Sequence, residues 1–95
     1  HEGLSLKRDW IGVDELVGSA VRRLKRYMPQ VLVEIHLPDE VLSLFVHAAL
    51  IEQAIFNVLE NAAKFSPEHK AVSVYVAKLN ENEIEIAIND LKEEF

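Results

Sequence analysis

There is no cysteine in this sequence, so disulfide staples and thiol chemistry are excluded, and a reducing compartment is allowed without being required. Glycine is scarce, at three residues, and no "GxxxxGK" stretch occurs, which excludes a P-loop phosphate cradle. No apolar run approaches the ~20 residues needed to cross a bilayer. The start of the chain, "HEGLSLKRDW", lacks the continuous apolar core of a signal peptide. The chain is therefore expected to be soluble, or to be the soluble piece of something larger. Positive charge is also in the minority: ten Lys and Arg stand against sixteen Asp and Glu, a net charge of −6. That argues against nucleic acid as a partner, because phosphate backbones are held by clustered cations. The one basic cluster, Arg22, Arg23, Lys25 and Arg26, reads as the solvated face and last turn of a helix, where cations suit the dipole.

What is present suffices for one small domain over residues 1–95. Apolar residues make up 49% and charged residues 27%, a globular balance with material for one compact core. "LSLKRDWIGV" alternates well enough for a short first strand. A helix follows, with Asp14 as its cap or first-turn acid. Leu16, Val17, Ala20, Val21, Leu24 and Met28 recur at spacings of three and four on its inner face, and Pro29 ends it. "VLVEIHL" alternates as a strand closed by the turn "PDE". "LSLFVHAA" is a short strand entering the next element. The longest helix runs from about Ala48 to Lys64, with Leu50, Ile51, Ala54, Ile55, Val58, Leu59 and Ala62 facing inward and Ser66-Pro67 as its stop. "AVSVYVAKL" and "EIEIAIND" are strands joined through "NENE" as a hairpin. The order β-α-β-β-α-β-β predicts an α/β two-layer sandwich: a mixed, mostly antiparallel sheet with helices on one face.

One stretch does not fit a plain core helix. In "NVLENAAKFSP", residues 57–67, Asn57, Asn61 and Lys64 fall within about 60° of one another at about 100° per residue. Gln53 and Glu60 flank them. A buried amide is costly without a hydrogen bond, so the stripe faces water or lines a site. A solvated face is usually built from Glu, Lys and Arg, whereas asparagine is a poor helix former. Amide oxygens suit a hard cation and an ammonium suits phosphate, so the set points to a magnesium–nucleotide unit. Phe65 at the helix end either packs into the core or covers a nucleobase or ribose.

"NVLENAAKFSP" closely resembles the N-box of sensor histidine kinases, whose ATP-binding domain has the GHKL or Bergerat fold. Asparagine, two hydrophobic residues, an acid, Asn-Ala, Lys, an aromatic and Ser-Pro are all in place. "LKRDWIGVDELVGSAVRRL" and "HLPDEVLSLFVHAALIEQAIFNVLENA" look like the corresponding region of the KdpD-type potassium (osmosensitive) sensor kinases, so the resemblance covers roughly residues 4–90. It implies a partial Bergerat fold and ATP and Mg²⁺ as ligands. Asn61 would coordinate Mg²⁺, with Asn57 near the metal's water shell, Lys64 on phosphate, and Phe65 where a tyrosine often stands near the nucleotide. Glu60 is a solvated helix acid or has a chemical part. Gyrase-type and chaperone relatives place a glutamate base where this chain has Asn57, and an amide takes no proton from water. Transfer to a protein histidine is thus the expected chemistry.

The resemblance also has departures. Relatives follow the last hairpin with an Asp-x-Gly-x-Gly loop, a lid and a second glycine-rich box. Here Asp90 falls where the adenine-reading aspartate stands, or is an ordinary strand-end acid. "LKEEF" follows it without a glycine, so the close backbone approach of such a loop is not expected. None of the four histidines reads as a phosphoacceptor: "HEGLSL" does not continue the motif from His1, His36 is strand surface, His47 precedes the long helix, and His69 is loop. The expectation is the N-box portion of an ATP-binding domain, with nucleotide binding by this chain alone weak or absent. Its partners would be ATP, a phosphoacceptor histidine domain and a response regulator, with the cytoplasm as its place and membrane reached only through other parts of the parent. The alternative is a degenerate, non-catalytic GHKL-like module for interaction or oligomerisation, in which an exposed sheet edge allows a homodimer.

Overall fold

The structure, a computed structural model, describes residues 7–66, 70–89 and 91–95, with the backbone alone at 91–93. The first strand, β1 (Asp9–Gly12), is shorter than expected; Leu4 and Leu6 lie outside the described residues. Helix α1 (Val13–Tyr27) follows at once, with Gly12 as its N-cap. Asp14 and Glu15 occupy its first turn and Lys25 and Arg26 its last, both matching the helix dipole. The Val13 amide donates to the Leu42 carbonyl at 2.9 Å, which ties the helix start to the segment just ahead of the strand at 43–46.

The remaining elements are β2 (Val33–His36), β3 (Ser43–Val46), α2 (Ala48–Phe65), β4 (Val72–Asn80), β5 (Glu83–Ile88) and β6 (Leu91–Glu94). They form two sheets. A four-stranded sheet runs β2-β4-β5-β6, parallel between β2 and β4 and antiparallel elsewhere. The parallel pair needs a crossover, which β3 and α2 supply. β1 and β3 make a separate antiparallel ribbon in which Trp10 faces Phe45. The two helices pack against each other and against the larger sheet, and the smallest molecular extent is 18 Å, one helix layer on one sheet.

The core lies between those layers. Val13, Leu16, Val17, Ala20, Val21 and Leu24 of α1 meet Ile55, Phe56, Leu59 and Ala62 of α2 and the inward residues Val72, Val74, Val76, Ile84, Ile86 and Ile88. Alternation along β4 and β5 puts those six on one face, as a half-wet sheet requires. Outward stand Tyr75 and His36, stacked at 4.4 Å between ring centres and 7° between planes.

Three expectations are corrected. Leu50 and Ala54 are exposed and Phe56 is buried. Measured from Ile55, Leu50 and Ala54 sit about 100–140° round the helix, whereas Phe56 points at α1, a second neighbour that periodicity cannot reveal. The expected single sheet is divided in two, since among the described residues β1 pairs only with β3. "LKEEF" also adds an unexpected strand: β6 pairs with β5 from Ile88–Leu91 to Glu85–Glu94, and Ile84 and Phe95 exchange backbone hydrogen bonds at 2.7 Å. Asn89 makes the reversal feasible, with φ 54°, a left-handed conformation that asparagine tolerates better than most residues.

Candidate functional site

The stripe on α2 faces outward. Asn57, Asn61 and Lys64 are all exposed, while Ile55, Leu59 and Ala62 on the other side are buried. Among the described residues, no side chain pairs with Lys64 or hydrogen-bonds Asn61, so their ammonium and amide groups are free to meet a ligand. Glu60 is half-buried.

Asn57 is held differently. Gln53, one turn earlier, donates its Nε2 to Asn57 Oδ1 at 2.8 Å. The Gln53 oxygen in turn accepts from Arg23 Nη1 of α1 at 2.7 Å. Arg23 is also 3.3 Å from the Glu52 carboxylate, and its guanidinium lies 4.0 Å over the Phe56 ring. Phe56 also meets Tyr27, tilted at 55° with 6.0 Å between ring centres. The α1–α2 seam therefore runs continuously into the stripe, through a link from Arg23 to Gln53, 30 positions apart, that no local pattern announces.

Phe65 is 85% exposed, which decides against core packing for its ring. It lines an open cavity of about 400 Å³ with Ser66, Lys70, Ala71, Ser73, Tyr75 and Asn89. Asn89 closes this end of the site. Its backbone N–H donates to the Ser73 carbonyl at 2.7 Å, its Oδ1 accepts from the Ser73 N–H at 3.0 Å, and its Nδ2 reaches Ser66 Oγ at 3.5 Å. The end of α2 is thus tied to the end of β5. Asp90, the expected adenine reader, lies outside the described residues, as do Pro67 and His69. Asn89 is a site-wall residue that sequence reasoning passed over; its place just ahead of Asp90 was the available signal.

Two other features frame the site. His47 is the N-cap of α2, makes no side-chain cap, and has a buried Nδ1 without a hydrogen-bond partner among the described residues. Among the described residues, no group of three or more His, Asp or Glu side chains is arranged to hold a metal, and no helix is long and apolar enough to cross a membrane.

Comparison with known proteins puts this geometry in context. No family model matches the chain. It is 35% identical over 71 residues to the sensor protein KdpD of Clostridium acetobutylicum and 29% identical over 72 residues to that of Escherichia coli. These alignments take in 75% and 76% of this chain, which spans 8% of the length of each of those relatives. Among solved structures, the mycobacterial sensor histidine kinase MprB superposes with a TM-score of 0.75 at 22% identity, covering 85% of this chain and 53% of that one. The cytoplasmic segment of the histidine kinase QseC gives 0.68 at 21% identity, covering 90% and 55%. At those identities the two structures speak for the fold, and the KdpD proteins for descent.

Proposed function

The chain belongs with the sensor histidine kinases of the KdpD type, and from that premise we propose that it is the N-box portion of an ATP-binding domain that meets Mg-ATP along one side of α2. The observation that carries this reading is the outward stripe: Asn57, Asn61, Lys64 and Phe65 are exposed on a helix whose other sides are packed. The donor set fits the ligand. A single amide oxygen does not hold Mg²⁺ alone, but Asn61 beside phosphate oxygens completes a hard-oxygen environment.

In this reading Asn61 offers its oxygen to the metal and Lys64 places a compact positive charge against phosphate. Phe65 covers the base or ribose at the mouth of the cavity that Tyr75 and Asn89 share. Asp90, next to Asn89, reads the adenine amino group. Bound Mg²⁺ supplies charge neutralisation on the phosphates, and the remaining work of the residues is positioning. In the intact kinase the γ-phosphoryl group then goes to a histidine on a separate domain, and on to an aspartate of a response regulator. The cytoplasmic side of a membrane-bound sensor is the place where ATP and a regulator are both met.

The test is a titration of the 95-residue chain with Mg²⁺ and a non-hydrolysable ATP analogue, followed by amide NMR shifts, with Asn61→Ala as control. Weak, saturable shifts clustered at residues 57–65, with smaller ones at the cavity residues Tyr75 and Asn89, and diminished in the control, are expected. A folded chain in which those amides do not respond would rule out a working site in this chain.

A further inference from the structure

Three side chains in series join the helix seam to the proposed site, and their chemistry permits only one polarity. Arg23 has five N–H donors and no acceptor, so the atom of Gln53 that meets it at 2.7 Å is the amide oxygen. That choice turns the Gln53 NH₂ group along the helix, where it donates to Asn57 at 2.8 Å. The atom receiving it must be Asn57 Oδ1. The Asn57 NH₂ group is then the end of the chain, and its hydrogens point into the open stripe. The source of this order is well anchored, since Arg23 also meets Glu52 at 3.3 Å and lies 4.0 Å over the buried Phe56 ring.

We propose that Arg23 is a positioning residue which acts through Gln53 to hold Asn57 with its Nδ2 hydrogens outward, so that Asn57 serves as a donor to phosphate oxygen and the metal is left to Asn61. The inference rests on the nucleotide reading of the stripe and adds a division of labour within it. Two asparagines one turn apart have the same composition and opposite presented chemistry. Asn57 has an imposed orientation, whereas Asn61 has no hydrogen-bond partner among the described residues and can turn its oxygen to a cation. Holding an amide in the right orientation before binding removes an ordering cost that the ligand would otherwise meet.

The decisive variant is Gln53→Glu, which keeps size and shape. The new carboxylate accepts from Arg23 as before but cannot donate to Asn57; it accepts from Asn57 Nδ2 instead and turns the Asn57 oxygen outward. Two readouts follow. In the free protein, hydrogen exchange of the Asn57 side-chain NH₂, read by ¹⁵N NMR, slows in Gln53→Glu because those hydrogens become bonded. In the titration with Mg²⁺ and the non-hydrolysable ATP analogue, affinity falls by roughly five- to tenfold, the loss of about one hydrogen bond. Arg23→Gln, which lets position 23 donate or accept, gives a smaller loss of affinity and no slowing of exchange. Unchanged folding stability in Gln53→Glu separates this from a structural defect. Equal affinity of wild type and Gln53→Glu overturns the relay while leaving the nucleotide site intact. Equal Asn57 side-chain exchange in the two proteins overturns it whether or not nucleotide binds.

Discussion

Phe56 and Phe65 stand nine residues apart on one helix with opposite fates: Phe56 is 4% exposed under the Arg23 guanidinium, and Phe65 is 85% exposed at the rim of an open cavity. One belongs to the joint between the helices and the other to the surface proposed to meet the nucleotide. Truncating them should therefore separate stability from binding. Phe56→Ala is expected to cost about 3 kcal/mol, the usual loss for a buried aromatic ring, and Phe65→Ala within about 0.5 kcal/mol. Urea unfolding of the two variants measures this, and comparable costs would show that Phe65 is core after all.

Asn61→Ala tests the proposed metal contact. Alanine is the better helix former, so the variant should be as stable as wild type or more so by a few tenths of a kcal/mol. The expected loss is specific: the nucleotide analogue still perturbs the Lys64 amide, but adding Mg²⁺ no longer strengthens the effect. An undiminished Mg²⁺ dependence would remove Asn61 as the metal's contact.

The start of α2 leaves room for improvement. His47 caps the helix without a side-chain hydrogen bond, and the first turn contains no acid. In His47→Asp, a carboxylate can accept from the free N–H groups of the first turn and complement the helix dipole. A gain of about 1 kcal/mol is expected from that cap. The denaturation midpoint should rise at constant slope; a midpoint that stays or falls would mean that the His47 ring packs more usefully than a cap would.

Asn89 separates backbone from side-chain effects at the end of β5. Its φ of 54° disfavours a Cβ, and its Oδ1 accepts the Ser73 N–H at 3.0 Å. Asn89→Gly loses the side-chain bonds to Ser73 and Ser66, whereas Asn89→Ala loses the same bonds and also strains the backbone. Alanine should be the worse of the two by about 1 kcal/mol. Thermal unfolding of the pair gives the answer, and equal melting temperatures would mean that the reversal into β6 does not depend on that conformation.

The order of elements was readable because it depends on periodicities that are local. The spacing of three and four along Leu16 to Leu24 and the alternation of Ile84, Ile86 and Ile88 are properties of one helix and one strand, and their inner faces are buried as expected. The second helix was readable to within a residue of its end, Phe65 against Lys64. Its outward stripe was legible for a chemical reason: two asparagines at helical spacing sacrifice propensity without a structural return, and the structure leaves both exposed.

What the chain's neighbours do to it was not readable. Leu50 and Phe56 are both apolar, and only the position of α1 exposes one and buries the other. β1 and β3 alternate like any strands, but their pairing into a separate ribbon is a choice among partners distant in sequence. β6 depends on Asn89 entering a left-handed turn that no alternation in "LKEEF" foretells. The sequence alone determined the inner faces of α1 and β5 and which amides line the stripe, because those follow from the geometry of single elements. Only the tertiary structure decided that Arg23 reaches Gln53 across the helix seam and so orients Asn57. A hydrogen-bond chain has a direction, and its direction is set by a donor thirty positions from the first residue it meets.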